Sequence, residues 1–178
     1  MSVKQQTTEM RELWVALDGE LLPLVTALMD ILMGRDEGFD SFEEVDRLVS
    51  SLQTGLHGYE RLLDRLQSFV DALRQALSTA AAPFTRPHPL ACSQWELLEI
   101  ADVAFEAMLD DYQAKHAVLS TLFSGVVPSA AQRLNYEALW RLHPLLNRPT
   151  AVDAVRNRLS LHEAFSSAST SSSSSPSR

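Results

Sequence analysis

A chain of 178 residues that is 46% hydrophobic has material for one packed core, which excludes a wholly disordered protein and leaves little room for two comfortable domains. Its net charge of −8 and pI near 5.0 argue against an unaided grip on nucleic acid, because binding phosphates requires clustered cations that displace counterions. Only Lys4 and Lys115 are lysines, and the arginines are scattered along the chain.

Glycine is scarce, the prolines fall between periodic segments and β-branched runs are absent, so the expected fold is all-α. The longest apolar stretch, 21–33, is interrupted by Pro23, Thr26 and Asp30 and falls short of the roughly 20 residues of a membrane span. A single cysteine, Cys92, and the lack of an apolar leader point to a reducing intracellular compartment, nucleus or cytoplasm.

The first periodic segment runs from about Thr7 to Met33, with Leu13, Leu17, Leu21, Leu24, Leu28, Ile31 and Leu32 at three- and four-residue spacing. Gly19 and Pro23 within it predict a kink or break, since proline removes a backbone donor and clashes with the carbonyl four residues back. Gly34 suits a helix C-cap, and Ser41 with Glu44 forms a capping-box signature that opens the second helix.

That helix carries the strongest pattern in the chain. Val45, Val49, Leu52, Leu56, Tyr59, Leu63, Leu66, Val70, Leu73 and Leu77 alternate four- and three-residue steps, the 3.5-residue period of a supercoiled seam. Leu48, Leu62 and Phe69 widen it, which implies more than one neighbouring helix. Pro83, Pro87 and Pro89 then mark a linker over 83–92.

A third helix is expected from about Ser93 to Phe123, with Leu98, Phe105, Leu109, Tyr112, His116, Leu119 and Phe123 on the apolar side. Its acidic run, Glu96, Glu99, Asp102, Glu106, Asp110 and Asp111, reads as a solvated face, with docking of a basic partner as the alternative. A short helix from about Ser129 to His143 places Tyr136, Leu139 and Trp140 together and stops at Pro144. A last segment spans 150–165, and the serine-rich residues 166–178 form a disordered tail. The expected layout is thus an N-terminal helical hairpin over 1–82, the linker over 83–92, a three-helix bundle over 93–165, and the tail.

No constellation of catalytic or metal-ligating residues stands out. The five histidines lie on different segments without a partner at ligand spacing, and Cys92 lacks an orienting acid or a glycine-rich turn. No catalytic, cofactor or metal site is therefore expected, and the chain reads as an interaction subunit. Ser175-Pro176-Ser177-Arg178 fits a proline-directed kinase target, while Arg11 to Trp14 has the shape of a cyclin-docking motif whose Leu13 and Trp14 read as core.

From Trp95 onward the chain resembles the cyclin-dependent kinase 2-interacting protein family, in which a Trp precedes a helix reaching a Tyr, followed by an L-x-Y-x-x-hydrophobic-W segment with Pro four residues later. Here these are Trp95, Tyr112, the segment Leu134 to Trp140, and Pro144. Two features depart from the family pattern: the basic run after the helix Tyr is reduced here to Lys115 and His116, and the residues directly before Pro144 differ. The resemblance implies a non-enzymatic adaptor of genome maintenance, associated with cell-cycle kinases, a checkpoint kinase's partner and a hexameric AAA-type ATPase complex linked to replication and large-subunit ribosome maturation. The contact surfaces expected on this reading are Tyr112, Tyr136, Leu139, Trp140 and Pro144 in the second half, and Leu56, Tyr59 and Leu63 on the heptad face. The rival expectation is an architectural coiled-coil subunit of a kinetochore, tether or trafficking assembly, in which the heptad helix pairs with another chain.

Overall fold

The computed structural model describes residues 3–34, 42–80 and 89–146, with side chains at 5–34, 42–79 and 95–146. These residues are all-α, as expected: α1 (Val3–Leu32), α2 (Phe42–Ala80), α3 (Pro89–Phe123) and α4 (Ala130–Leu142). The capping box at Ser41, the segment 150–165 and the serine tail lie outside the described residues.

α1 does not break at Gly19 or Pro23; it is helical throughout 3–32. Both residues are exposed, so the carbonyl deprived of its donor by Pro23 is open to water, while Leu21 and Val25 on the opposite side hold both halves in the core. Gly34 ends the helix in the left-handed region, φ +64, its N–H donating to the Ile31 carbonyl at 2.9 Å.

α2 folds back antiparallel along α1: Tyr59 meets Asp18, and Arg65 lies 3.8 Å from Glu9. Its heptad seam is buried as the period predicts, with Leu52, Leu56, Tyr59, Leu63, Leu66, Val70 and Leu77 all inside. The neighbours are α1 and α3 of the same chain. Gly55 and Gly58 let α1 approach closely, since a Cβ at Gly55 would stand 2.3 Å from Leu21 Cδ2 and one at Gly58 2.9 Å from Leu17 Cδ2. We therefore expect Gly55→Ala to cost about 1–3 kcal/mol of overpacking, offset by at most about 1 kcal/mol of helix propensity. A lowered urea midpoint would register it.

α3 starts at Pro89, four residues before the expected Ser93, so the backbone of Cys92 is helical and not part of a linker. Proline is well placed at a first helical position, where its missing N–H would have no partner in any case. The helix returns antiparallel to α2, joined to it by Arg74 to Asp102 at 2.6 Å and by the Tyr112 hydroxyl donating to Glu60 at 2.6 Å. It also runs alongside α1 in the same direction.

α4 opens with a complete capping box: Ser129 Oγ accepts from the Gln132 N–H at 3.3 Å, and Gln132 Oε1 accepts from the Ser129 N–H at 2.8 Å. It lies antiparallel on α1, locked at one end by Arg133, which bonds to Asp30 of α1 and, at 2.9 Å, to Glu137 of its own helix. At the other end His143 takes a left-handed conformation, φ 45, and caps the helix before Pro144.

Hairpin and C-terminal helices share one core. Met10, Trp14, Leu21 and Val25 of α1 join Leu52 to Leu66 of α2, Met108, Leu119 and Leu122 of α3, and Trp140 of α4. A smaller cluster of Val70, Leu77, Leu98 and Ala101 continues between α2 and α3.

Candidate functional site

Two of the expected apolar stripes are rotated from where apolar letters alone place them. In α1 the buried line is Met10, Trp14, Asp18, Leu21, Val25 and Leu28, leaving Leu13 at 40% exposure. In α3 it runs through Ala101, Met108, Asp111, Lys115, Leu119 and Leu122, while His116 is exposed. Charged residues thereby enter the centre of the bundle. Asp111, expected on a solvated acidic face, is fully buried with Lys115 one helical turn later.

The Lys115 ammonium reaches Asp18 Oδ1 at 2.5 Å and also bonds to Asp111 Oδ2. Tyr59 of α2 donates its hydroxyl to Asp18 Oδ1, and the Trp14 indole N–H donates to Asp111 Oδ2 at 2.8 Å. Lys115 Nζ lies 5.2 Å from the ring centre of Tyr59, 5.8 Å from that of Trp140 and 5.9 Å from that of Trp14. An ammonium within about 6 Å of aromatic faces is attracted by their quadrupoles. The Trp14 and Tyr59 rings pack 4.6 Å apart, tilted by 47°. All four helices thus contribute to one cage around one cation.

The electrostatics are unbalanced. Two buried carboxyl groups face one ammonium, with the His143 ring 2.8 Å from Asp18, in a region that water cannot screen. Burial accordingly raises the Asp18 carboxyl above its ordinary range, and Lys115 and the Tyr59 hydroxyl only partly offset it. The Tyr59 phenol is pushed far above its usual value, first by burial and then by the Asp18 charge. Asp18 Oδ2, Asp111 Oδ1 and the Trp140 indole N–H make no hydrogen bond among the described residues. His143 Nδ1 stands 2.8 Å from Asp18 Oδ2 but out of hydrogen-bonding alignment.

A raised carboxyl pKa means the folded state binds a proton more readily than the unfolded chain. The stability Asp18 contributes is therefore fully present below the ordinary carboxylate range and is lost as pH rises through the raised value. Asp18→Asn keeps an acceptor for Tyr59 while removing the charge. The stability difference between wild type and Asp18→Asn is expected to shift against wild type as pH rises across that interval, as measured by urea melts at a series of pH values.

No family model, curated protein or solved structure matches this chain.

The chemistry open to the site follows from its enclosure. Lys115, Asp111 and Asp18 are at most 1% exposed, so the cluster joins helices and presents nothing to a ligand while the bundle is closed. Among the described residues no group of three or more His, Cys, Asp and Glu is arranged to hold a metal ion, and no helix is long and apolar enough to cross a membrane.

The residues expected to contact partners occupy different places. Leu56, Tyr59, Leu63 and Trp140 are buried in the common core. Packed there by the chain's own helices, they are out of a partner's reach in the closed bundle. Tyr136 and Leu139 are half-buried against the same core, and Tyr112 is half-buried with its phenol raised to about 12 by burial and by Glu60. Pro144 is exposed. The core cluster Asp18, Asp111 and Lys115 escaped the sequence reading, although position counting held the signal: Ala101, Met108, Lys115 and Leu122 recur every seven residues, and all four are buried.

Proposed function

We propose that this chain is a non-enzymatic interaction subunit that presents the outer face of α4 to a protein partner. The observation that carries this reading is the division of that short helix into two faces. Its inner side, with Trp140, Tyr136 and Leu139, is committed to the core, while Leu134 is 68% and Leu142 61% exposed, with Val126 and Val127 exposed just ahead of the helix. Scattered exposed leucines are ordinary, but Leu134 in the first half of this 13-residue helix, with Val126 and Val127 exposed just ahead of it, gives that end of α4 apolar side chains of the kind a groove-bearing partner accepts.

The resemblance to the cyclin-dependent kinase 2-interacting protein family supports the same helix. Its L-x-Y-x-x-hydrophobic-W segment coincides with α4, where the Tyr and Trp seat the helix and Leu134 faces outward. On this reading the partners are cell-cycle kinase or AAA-type ATPase machinery, and the work is genome maintenance in the nucleus or cytoplasm, extending to ribosome maturation. Direct nucleic-acid binding is not part of it, given the net charge of −8. Burial of the α2 seam against α1 and α3 favours the adaptor over an architectural subunit, whose heptad helix would need a second chain.

The test is recovery of stoichiometric partners from native lysate with wild type and with Leu134→Glu. The variant is expected to keep its stability within about 0.5 kcal/mol and to lose the partner. Undiminished recovery of the partner by the folded variant would overturn the assignment to α4.

A further inference from the structure

We propose that Lys115 and Asp18 become covalently joined: within the closed bundle the lysine amine condenses with the Asp18 carboxyl, releasing one water and leaving an isopeptide amide between α3 and α1. The ion cluster described above is the reactant, the state of the freshly folded chain. The reaction is a single intramolecular event without an external substrate, so it adds to the interaction-subunit reading and does not depend on it.

Amide formation from an amine and a carboxylic acid needs contact, an acid in its protonated form, a base for the surplus proton of the ammonium, and exclusion of water. Contact is present: Lys115 Nζ lies 2.5 Å from Asp18 Oδ1. A carbon–oxygen bond of about 1.2 Å then puts that nitrogen within about 3.7 Å of the carboxyl carbon, next to the roughly 3–3.5 Å of a near-attack contact. The two residues are 97 apart in sequence, and the shared core of α1 and α3 holds them together before any bond forms. Burial favours the acid form of Asp18, the electrophilic one. Tyr59 donates its hydroxyl to Oδ1, the oxygen on which charge grows as nitrogen attacks, so it serves as the oxyanion donor. Oδ2 makes no hydrogen bond among the described residues and is the oxygen that departs.

Asp111 supplies the base. Its Oδ2 bonds to the same ammonium and is held by the Trp14 indole N–H at 2.8 Å. Lys115 passes one proton to Asp111 and becomes a neutral amine. Its lone pair forms the C–N bond to Cγ of Asp18 while the carbonyl pair moves onto Oδ1. A second proton passes from nitrogen, relayed by Asp111, to the Oδ2 hydroxyl; the carbonyl re-forms, the C–Oδ2 bond breaks, and water leaves with that electron pair. The amide keeps one N–H and Asp111 ends protonated, so atoms and charge balance without an oxidant or co-reactant. Lys115, Asp111 and Asp18 are at most 1% exposed, and the rings of Trp14, Tyr59 and Trp140 surround the amine, which keeps bulk water from hydrolysing the product. Asp111 lies one turn before Lys115 on the same helix, and its part is to move protons; the Tyr59 hydroxyl marks Asp18 as the acceptor.

The experiment is intact mass spectrometry of the full chain, refolded from denaturant and held folded at neutral pH for increasing times, followed by proteolysis and tandem mass spectrometry. Wild type is expected to lose the mass of one water with time and to yield a branched peptide joining Asp18 to Lys115, whereas chain kept in denaturant retains the mass of its sequence. Lys115→Arg, which keeps the cation, loses no water. Asp111→Asn, shown to be folded by circular dichroism, forms the branched peptide at least about a hundredfold more slowly, the usual contribution of a general base. Any of four results overturns the proposal: a wild-type mass that stays constant; water lost within one peptide, as a cyclic imide at Asp18-Gly19 or a ring from Asp111 to Lys115; a loss undiminished in Lys115→Arg; or a branched peptide that forms at the wild-type rate in folded Asp111→Asn.

Discussion

Lys115→Met is expected to lower the unfolding free energy by about 3–5 kcal/mol, the usual consequence of removing one partner from a buried ion cluster. Methionine fits the volume and packs well against Trp14, Tyr59 and Trp140, so the loss is electrostatic. Asp18 and Asp111 are left without the ammonium between them, at 1% and 0% exposure, with the His143 ring beside Asp18 as the nearest basic group. Each must then either hold an uncompensated charge or take up a proton, and either path favours the unfolded chain at neutral pH. Urea melts at pH 7 measure the size of the effect. The same melts on Asp18→Asn/Asp111→Asn/Lys115→Met separate charge from packing. Both amides keep an oxygen for Tyr59 and Trp14, and no charge is stranded, so the triple variant is expected to be more stable than the single one. A triple variant as unstable as Lys115→Met would show that the ammonium's fit in its aromatic cage, and not charge balance, holds the centre together.

Trp140→Ala is the second large effect, about 3–5 kcal/mol for emptying a fully buried tryptophan site. Here the loss is local before it is global. α4 has 13 residues, close to the length below which an isolated helix is marginal in water, so its order depends on its seat. Amides of α4 are expected to exchange much faster in the variant at denaturant concentrations where α2 amides remain protected. A partner lost by Trp140→Ala therefore reports an undocked helix. Loss caused by Leu134→Glu, in a variant of unchanged stability, reports a contact.

The α2 seam is legible in the sequence because ten apolar residues mark it without interruption, and a helix flanked on two sides buries such a line whichever neighbours arrive. α1 and α3 are less legible for a definite reason. Their seams contain charges, so a stripe drawn through leucines slides round the helix toward Leu13 in α1 and toward His116 in α3. Counting positions instead, Trp14, Asp18, Leu21, Val25 and Leu28 keep the alternating steps of four and three through the aspartate. The pairing of Asp18 with Lys115 joins residues 97 apart and depends on the relative rotation of two helices, which no local pattern encodes. Trp140 is legible as core from its size, whereas its position beside Lys115 follows from the turn at Gly125 and the capping box at Ser129, which together set α4 against α1.

Burying Lys115 also changes how the folded surface meets amine chemistry. The sequence has two lysines, and one of them is sealed between Asp18, Asp111 and three aromatic rings. Acylating reagents, amine-directed cross-linkers and enzymes that attach ubiquitin to lysine are thus left with Lys4 as the one other lysine side chain to modify. Modification of Lys115 becomes a marker of opening: it proceeds only in molecules whose bundle has come apart, and its rate counts those excursions one chain at a time.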